Sequence, residues 1–267
     1  MKRALKIPYS NEDENHLFIE QTSKNTTITS HTLIDGLFRI EFSDAKFLYV
    51  RPFPHSDPLV FNQIFTIEEY KPVVDYFCDN RINYDCLRIV DAGANVGYTT
   101  WFLLSFFRNA QVICIEPDLG NLSVLKKNLE QSVKDGQVKV YRNALTGQGD
   151  QNVVIADTFR DGRDWALSIK ESEKESDLKS VGMSQLMKEN GWKTIDILKV
   201  DIEGSERFVF ESSADLSYLR MVRLIALEIH DEFKIRENIY ITLRNYGFEL
   251  WNFGETTLAI NRNFPAE

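Results

Sequence analysis

The chain has 267 residues and a formal net charge of −9 at pH 7, and 43% of its residues are hydrophobic, including 18 Phe and 10 Tyr. This apolar content supports a large buried core and excludes a disordered chain. The negative charge disfavours non-specific nucleic-acid binding, which depends on Lys and Arg neutralising phosphates.

The cysteines and the apolar stretches suggest an intracellular environment. Cys78, Cys86 and Cys114 have neither metal-ligand spacing nor the pattern of a disulfide framework. The basic residues at the start are not followed by the apolar segment of a signal peptide, and no stretch reaches the length of a membrane span. We therefore expect a cytoplasmic protein with no membrane span and no nucleic-acid partner. The sequence does not indicate an oligomeric state.

Residues 1–80 are predicted to form a small N-terminal arm and β/α cap. The first 30 residues are polar, whereas residues 32–51 carry the apolar alternation and turn residues of a β-hairpin. Apolar residues at helical spacing follow between Phe61 and Phe77.

Residues 81–267 read as one α/β domain in which strands alternate with helices. Strands are predicted at 88–91, 112–116, 138–141, 195–201 and 223–230, and a closing hairpin at 248–252 and 256–261. Helices are predicted at 98–108, 119–133 and 231–246, with a short one capped by Ser184. Strand–helix alternation followed by a hairpin predicts a mostly parallel sheet with one antiparallel strand.

Residues 146–180 interrupt this alternation and are read as an insert. They contain two short strand candidates, 152–156 and 165–169, followed by a charged run of mixed sign. A run of mixed sign is typical of a solvated loop.

A glycine turn follows the first strand of the α/β domain and indicates a nucleoside site. The turn reads Asp91-x-Gly93-x-Asn95-x-Gly97, and it lacks the three closely spaced glycines with which dinucleotide-binding turns approach a pyrophosphate. An acid at the strand end repels phosphate but suits a ligand with an ammonium group. S-adenosylmethionine is such a ligand, because it carries an α-amino group and a sulfonium but no phosphate.

The ends of the next two strands fit other parts of the same ligand. Glu116 is placed to accept hydrogen bonds from the two ribose hydroxyls, and Asn143 with the Ala144 amide could bind the adenine edge. Asp201, at the end of a later strand, is assigned to the cofactor site as well as to the catalytic one.

Five motifs resemble the FkbM family of S-adenosylmethionine-dependent methyltransferases in their order and spacing. They are Val90-Asp-Ala-Gly-Ala-Asn-Val-Gly-Tyr-Thr-Thr, Ile115-Glu-Pro-Asp, Asn143-Ala-Leu, Ile197-Leu-Lys-Val-Asp-Ile-Glu-Gly-Ser-Glu and Leu227-Glu-Ile-His. Asn95 stands where many class I methyltransferases have glycine, and it is usual for this family. The resemblance extends from about Pro58 to Asn261. It implies a class I methyltransferase Rossmann-like fold and O-methylation, often of sugar or polyketide hydroxyls.

The catalytic candidates lie at the ends of the strands at 195–201 and 223–230. Lys199 and Asp201 share one face of their strand, and Glu228 and His230 share one face of theirs. We expect Lys199 to pair with Glu228, because buried charges are costly without partners. His230 is our first choice as general base, oriented by Asp201 or Glu228. Asp201, Glu203, Glu228 and His230 could also hold a divalent metal, but strand-end spacing alone is weak support and no metal is predicted.

The sequence thus predicts an S-adenosylmethionine-dependent O-methyltransferase that acts on a hydroxyl of a sugar, glycan or related small-molecule acceptor. Two alternatives stay open at this point. One is an NAD(P)-dependent oxidoreductase, and the other is a catalytically silent protein that only binds S-adenosylmethionine.

Overall fold

The computed structural model describes residues 10–83, 85–155, 169–172, 174–211 and 213–265. The chain divides into two compact units, 1–67 and 68–267. This division falls earlier than the boundary predicted at residue 80, because the helix at 71–79 belongs to the second unit. Phe77 of that helix packs against Phe107, with ring centroids 5.4 Å apart.

The first unit contains a three-stranded antiparallel sheet in the order β1-β2-β3. Its elements are α1 (Asn11–Thr22), β1 (Ile28–Ile34), β2 (Leu37–Phe42), β3 (Phe47–Val50) and α2 (Asp57–Phe65). Helix α1 begins at Ser10, whose hydroxyl accepts a hydrogen bond from the Asp13 amide at 3.1 Å. Alternation along β2 buries Ile40 and Phe42. The antiparallel β2–β3 pair confirms the predicted hairpin.

The second unit is built around a seven-stranded sheet in the order β13-β14-β12-β11-β4-β5-β6. Its strands are β4 (Arg88–Ala92), β5 (Gln111–Ile115), β6 (Val138–Tyr141), β11 (Ile195–Val200), β12 (Val222–Glu228), β13 (Phe248–Phe253) and β14 (Thr256–Asn261). Strands β12, β11, β4, β5 and β6 pair in parallel, and β14 pairs antiparallel with both of its neighbours. This confirms the predicted class I methyltransferase-like sheet with a closing antiparallel hairpin.

The helices of the second unit connect these strands, and the insert adds short strands. The helices are α3 (Lys71–Asp79), α4 (Tyr98–Phe106), α5 (Leu119–Asn128), α6 (Glu130–Lys134), α7 (Met183–Glu189), α8 (Glu206–Val209) and α9 (Arg236–Asn245). The short strands are β7 (Asn143–Leu145), β8 (Val153–Ile155), β9 (Ile169–Glu171) and β10 (Lys179–Val181), paired as β7–β10 and β8–β9. Residues 156–168, which include most of the second strand predicted in the insert, lie outside the described residues.

Three helix predictions are wrong in detail. The helix predicted at 119–133 is two helices, because the backbone of Leu129 leaves the helical region at φ −110° and ψ 20°. The helix predicted from Asp231 is a 3₁₀ turn followed by α9, and Lys234 between them adopts a left-handed conformation. Ser184 does not cap α7, which begins one residue earlier after the extended Gly182.

The central strand of the large sheet lies in the interior of the second unit. All six residues of β11 are buried, as a strand covered on both faces requires. In the described part of the chain, no helix is both long and apolar enough to cross a membrane.

Candidate active site

The glycine turn lies between the carboxyl ends of β4, β5 and β11. The amides of Gly93 and Ala94 both donate to the Ile115 carbonyl at 3.0 Å. Gly93 has φ +78°, and a Cβ placed there would lie 1.7 Å from the Asp201 carbonyl oxygen. Only glycine fits, because any side chain would overlap the backbone that follows β11. The turn is therefore fixed against the strand end that carries the catalytic candidates.

Asn95 places a buried polar atom in this turn. Its backbone is left-handed at φ +48°, a conformation that asparagine tolerates well. Its side-chain Oδ1 is buried and has no hydrogen-bond partner among the described residues. A buried acceptor without a partner is costly unless a ligand supplies the donor. The turn therefore offers an acceptor to an ammonium or hydroxyl group of a ligand.

Asp91 is fully buried, and the protein itself occupies its carboxylate. Its Oδ1 lies 3.3 Å from the Lys199 ammonium, and its Oδ2 accepts from the Thr100 hydroxyl at 2.7 Å. Lys199 also donates to the Gly93 carbonyl at 2.6 Å. The cation beside this acid is thus a lysine of the same chain, and together they hold the glycine turn.

Glu116 joins the glycine turn to the start of α5. One of its oxygens accepts from the Asn95 amide at 2.8 Å, and the other accepts from the Asp118 amide at 3.0 Å. Burial raises the pKa of this carboxyl to about 7, although hydrogen bonds to its charged form oppose the rise. Glu116 follows β5, which is next to β4 in the sheet.

Asn143 and Ala144 lie in β7, beyond the end of β6. Asn143 Nδ2 donates to the Lys179 carbonyl at 3.1 Å, and Ala144 is buried in a small apolar cluster with Val153 and Leu178. The structure places these residues in the β7–β10 pair, and their contact with adenine stays a prediction.

The predicted ion pair between Lys199 and Glu228 is wrong. Lys199 is opposite Ala226 in the β11–β12 register, so Glu228 lies farther along the strand on the same face. Lys199 instead pairs with Asp91 at 3.3 Å and Asp201 at 3.5 Å. Burial disfavours its charged form, but these two carboxylates outweigh burial and raise its pKa. Strands β4 and β12 both pair with β11, and the closest acid comes from β4 instead of β12.

His230 lies in a cluster of carboxylates and is itself buried. Its Nδ1 is 3.0 Å from Glu206 Oε1, and its Nε2 is 3.2 Å from Glu203 and 3.7 Å from Glu228. Burial opposes its charged form, but the hydrogen bonds to Glu203 and Glu206 raise the pKa of His230 to about 11. Both ring nitrogens therefore face acids of the chain, so neither nitrogen points at a substrate that would accept the methyl group.

The carboxylates around His230 differ in exposure. Asp201 and Glu228 are 28% and 20% exposed in their side chains, whereas Glu206 is fully buried. The charge of Asp201, and then burial, raise the pKa of Glu228. Asp201 and Glu228 thus face solvent in part, and the imidazole lies behind them.

Thr100 and Glu206 have roles that were not predicted from the sequence. Thr100 lies on the first helix after the turn and reaches back to Asp91, and Glu206 opens α8 and faces His230. Glu206 stands three residues after Glu203 and two after Gly204. That an acid at this position would be buried was not visible in the sequence.

The fold and this arrangement of strand ends define a class I methyltransferase-like protein. Residues 91–250, more than half of the chain, match the family described as Methyltransferase FkbM domain. The chain belongs to the FkbM family of S-adenosylmethionine-dependent methyltransferases, and that family implies S-adenosylmethionine as the methyl donor.

The individual proteins that this chain resembles have low sequence identity to it. Methyltransferase sdnD of Sordaria araneosa is 24% identical over 191 residues, which cover 61% of this chain and 73% of that protein. The N-terminal domain of human METTL16, in complex with SAH, has a TM-score of 0.42 at 15% identity over 72% of this chain and 68% of that one. Precorrin-6y C5,15-methyltransferase from Geobacter metallireducens GS-15 has a TM-score of 0.40 at 11% identity over 66% of this chain and 81% of that one. The family assignment rests on the domain match alone.

Proposed function

We propose that this protein transfers a methyl group from S-adenosylmethionine to a hydroxyl of a sugar, glycan or related small-molecule acceptor. The observation that carries this proposal is the partly exposed Glu228, which lies at the end of β12, beside the strand whose end contacts the glycine turn. A carboxylate in this position can take a proton from a hydroxyl held next to the cofactor.

The glycine turn and Glu116 are the groups that would hold the cofactor. Asn95 offers a buried Oδ1 that has no hydrogen-bond partner among the described residues. Gly97 leads the turn into α4, and Glu116, directly after β5, would face the ribose hydroxyls. Asp91 acts indirectly, because its carboxylate holds the Lys199 ammonium, which in turn fixes the glycine turn. Asp201 contributes its backbone to the cofactor side, where it packs against Gly93, and its carboxylate faces the acceptor side.

Glu228 replaces His230 as our choice of proton acceptor. In the described part of the chain, Glu228 has no lysine or arginine within ion-pair distance, whereas Asp201 is paired with Lys199 and His230 is enclosed. S-adenosylmethionine held by the glycine turn and Glu116 would supply an electrophilic methyl to the acceptor oxygen, with the carbon–sulfur bond broken and S-adenosylhomocysteine as the leaving group. The hydroxyl proton goes to the Glu228 carboxylate. His230 then orients the surrounding acids from behind.

Replacing Glu228 tests this role. We expect Glu228→Gln to lower kcat for methyl transfer by about 10²- to 10⁴-fold, because an amide cannot accept the proton. The affinity for S-adenosylhomocysteine should stay unchanged, since Glu228 is outside the glycine turn. Transfer of radiolabelled methyl to a panel of saccharides measures the first quantity, and calorimetry measures the second.

Glu249→Gln is the matched control, because it removes the same charge from an exposed acid on β13. Unchanged turnover in Glu228→Gln would contradict the base assignment. Failure of the native protein to methylate any hydroxyl while it binds S-adenosylhomocysteine would favour the alternative of a catalytically silent binding protein. The family match removes the other alternative, an NAD(P)-dependent oxidoreductase.

A further inference from the structure

Three possible metal ligands converge where β11 and β12 end. One carboxylate oxygen each of Asp201 and Glu203 and one ring nitrogen of His230 all lie within 4.8 Å of one another. The imidazole is buried and the two carboxylates are partly exposed. The strands are parallel neighbours, so the three groups are held by a rigid part of the sheet.

Glu206 orients the imidazole from the opposite side. Its Oε1 lies 3.0 Å from His230 Nδ1, and its Oε2 is buried without a hydrogen-bond partner among the described residues. With a metal bound, a carboxylate on Nδ1 would keep a proton on that nitrogen and leave the Nε2 lone pair for the ion. Histidines that bind metals are commonly oriented in this way.

Nε2 faces the Glu203 carboxylate at 3.2 Å. Without a metal, a proton on Nε2 joins these two atoms, and a bound divalent cation would take the place of that proton. Two ligands each about 2.1 Å from one ion are about 3.0 Å apart at a right angle and about 3.4 Å apart at the tetrahedral angle. The observed separation lies between these values, so both atoms can bind the same ion without moving.

We propose that Asp201, Glu203 and His230 bind a divalent cation. Two carboxylates balance its charge, and a mixed set of carboxylate and imidazole ligands suits first-row ions such as Mn²⁺. Three protein ligands leave coordination positions for the acceptor. Glu228, with an oxygen 3.7 Å from Nε2, lies next to the site and remains available to take a proton.

The metal site deepens the proposed function and rests on it for its catalytic meaning. A bound cation lowers the pKa of a hydroxyl on it, which makes deprotonation by Glu228 easier. An acceptor with two neighbouring oxygens, such as the vicinal diol of a sugar, would fill two open positions. We therefore expect the protein to methylate vicinal diols in preference to isolated alcohols.

Binding of Mn²⁺ to the full chain, after treatment with a chelator, tests the site directly. We expect one ion per chain by calorimetry and by the loss of the free Mn²⁺ signal in electron paramagnetic resonance. Glu203→Gln and Asp201→Asn should each weaken binding at least tenfold. Glu255→Gln is the matched control, because it removes the same charge from an exposed side chain that is not one of the three ligands.

The outcomes separate this inference from the proposed function. Native protein that binds S-adenosylhomocysteine but not Mn²⁺, or variants that bind Mn²⁺ as well as the native chain, would overturn the metal site alone. Specific Mn²⁺ binding without affinity for S-adenosylhomocysteine would support the site and count against the proposed function. Thermal melts identify a variant that does not fold, and the other carboxylate variant then decides.

Discussion

Glu116 is a buried carboxyl whose pKa rises from its ordinary value of 4.5 to about 7 in the folded protein, mainly through burial. Between these two pH values the folded state binds more protons than the unfolded state. The free energy of unfolding should therefore fall as pH rises from about 4.5 to 7, by an amount on the order of a few kcal/mol from this group. Glu116→Gln cannot titrate, so its stability should depend less on pH across this range.

Urea unfolding at several pH values between 5 and 7.5 measures this difference. The comparison concerns the slope with pH, because the amide also leaves a backbone N–H without an acceptor and lowers stability at every pH. Glu130→Gln serves as the control, since Glu130 is an exposed acid of the same unit. Equal slopes for the native protein and Glu116→Gln would show that Glu116 does not titrate in this range.

The sequence identifies which charged residues lie at the strand ends, but it does not identify their partners. Parity along the strands correctly placed Lys199 and Glu228 on one face, yet the closer acid in the folded sheet is Asp91 on β4. The choice depends on the register of neighbouring strands to within one residue, which periodicity does not provide. The burial of Glu206 against His230 depends equally on how α8 packs after its short turn.

The glycine turn connects the proposed cofactor site to the carboxylate cluster around His230. Gly93→Ala would place a methyl group against the Asp201 backbone oxygen, so the turn or the end of β11 must shift. We expect this variant to lose most of its affinity for S-adenosylhomocysteine, at least tenfold by calorimetry. A shift of the turn also moves Asn95 and its Oδ1 away from the ligand.

Gly136→Ala provides a matched control for the backbone. Gly136 also has a positive φ of +72°, but a Cβ there meets nothing within 4 Å. Its substitution should cost about 1–2 kcal/mol of stability through the left-handed conformation and leave affinity unchanged. If Gly93→Ala and Gly136→Ala bound the ligand equally well, the contact with Asp201 would have no role in cofactor binding.

Strands were easier to predict than helix ends. The β-branched runs placed every strand of the large sheet to within one or two residues, because buried parallel strands are nearly continuous apolar segments. The break at Leu129 was not predicted, since its apolar stripe continues across the two helices. Helical periodicity reports which face is buried, but not whether one helix or two consecutive helices present it.

At the scale of the whole molecule, the residues of the predicted cofactor site all belong to the second compact unit. Every residue predicted to contact S-adenosylmethionine lies within 68–267, and so do the three proposed metal ligands. The division before Glu68 was not visible in the sequence, because the apolar pattern runs from α2 into α3 without a change of composition. Residues 1–67 lie outside the matched family domain, so the family does not account for them.

Binding of S-adenosylhomocysteine should therefore stabilise the second unit as a whole. At about a hundred times its dissociation constant, a ligand that binds only the folded state adds about 2.7 kcal/mol. For a unit of this size, each kcal/mol raises Tm by about 2–4 °C, so we expect a rise of about 5–10 °C in a thermal melt. NAD at the same concentration should give no shift, because the turn lacks the glycines that admit a pyrophosphate. Absence of a shift with S-adenosylhomocysteine, or a larger one with NAD, would contradict the cofactor site built from the turn and Glu116.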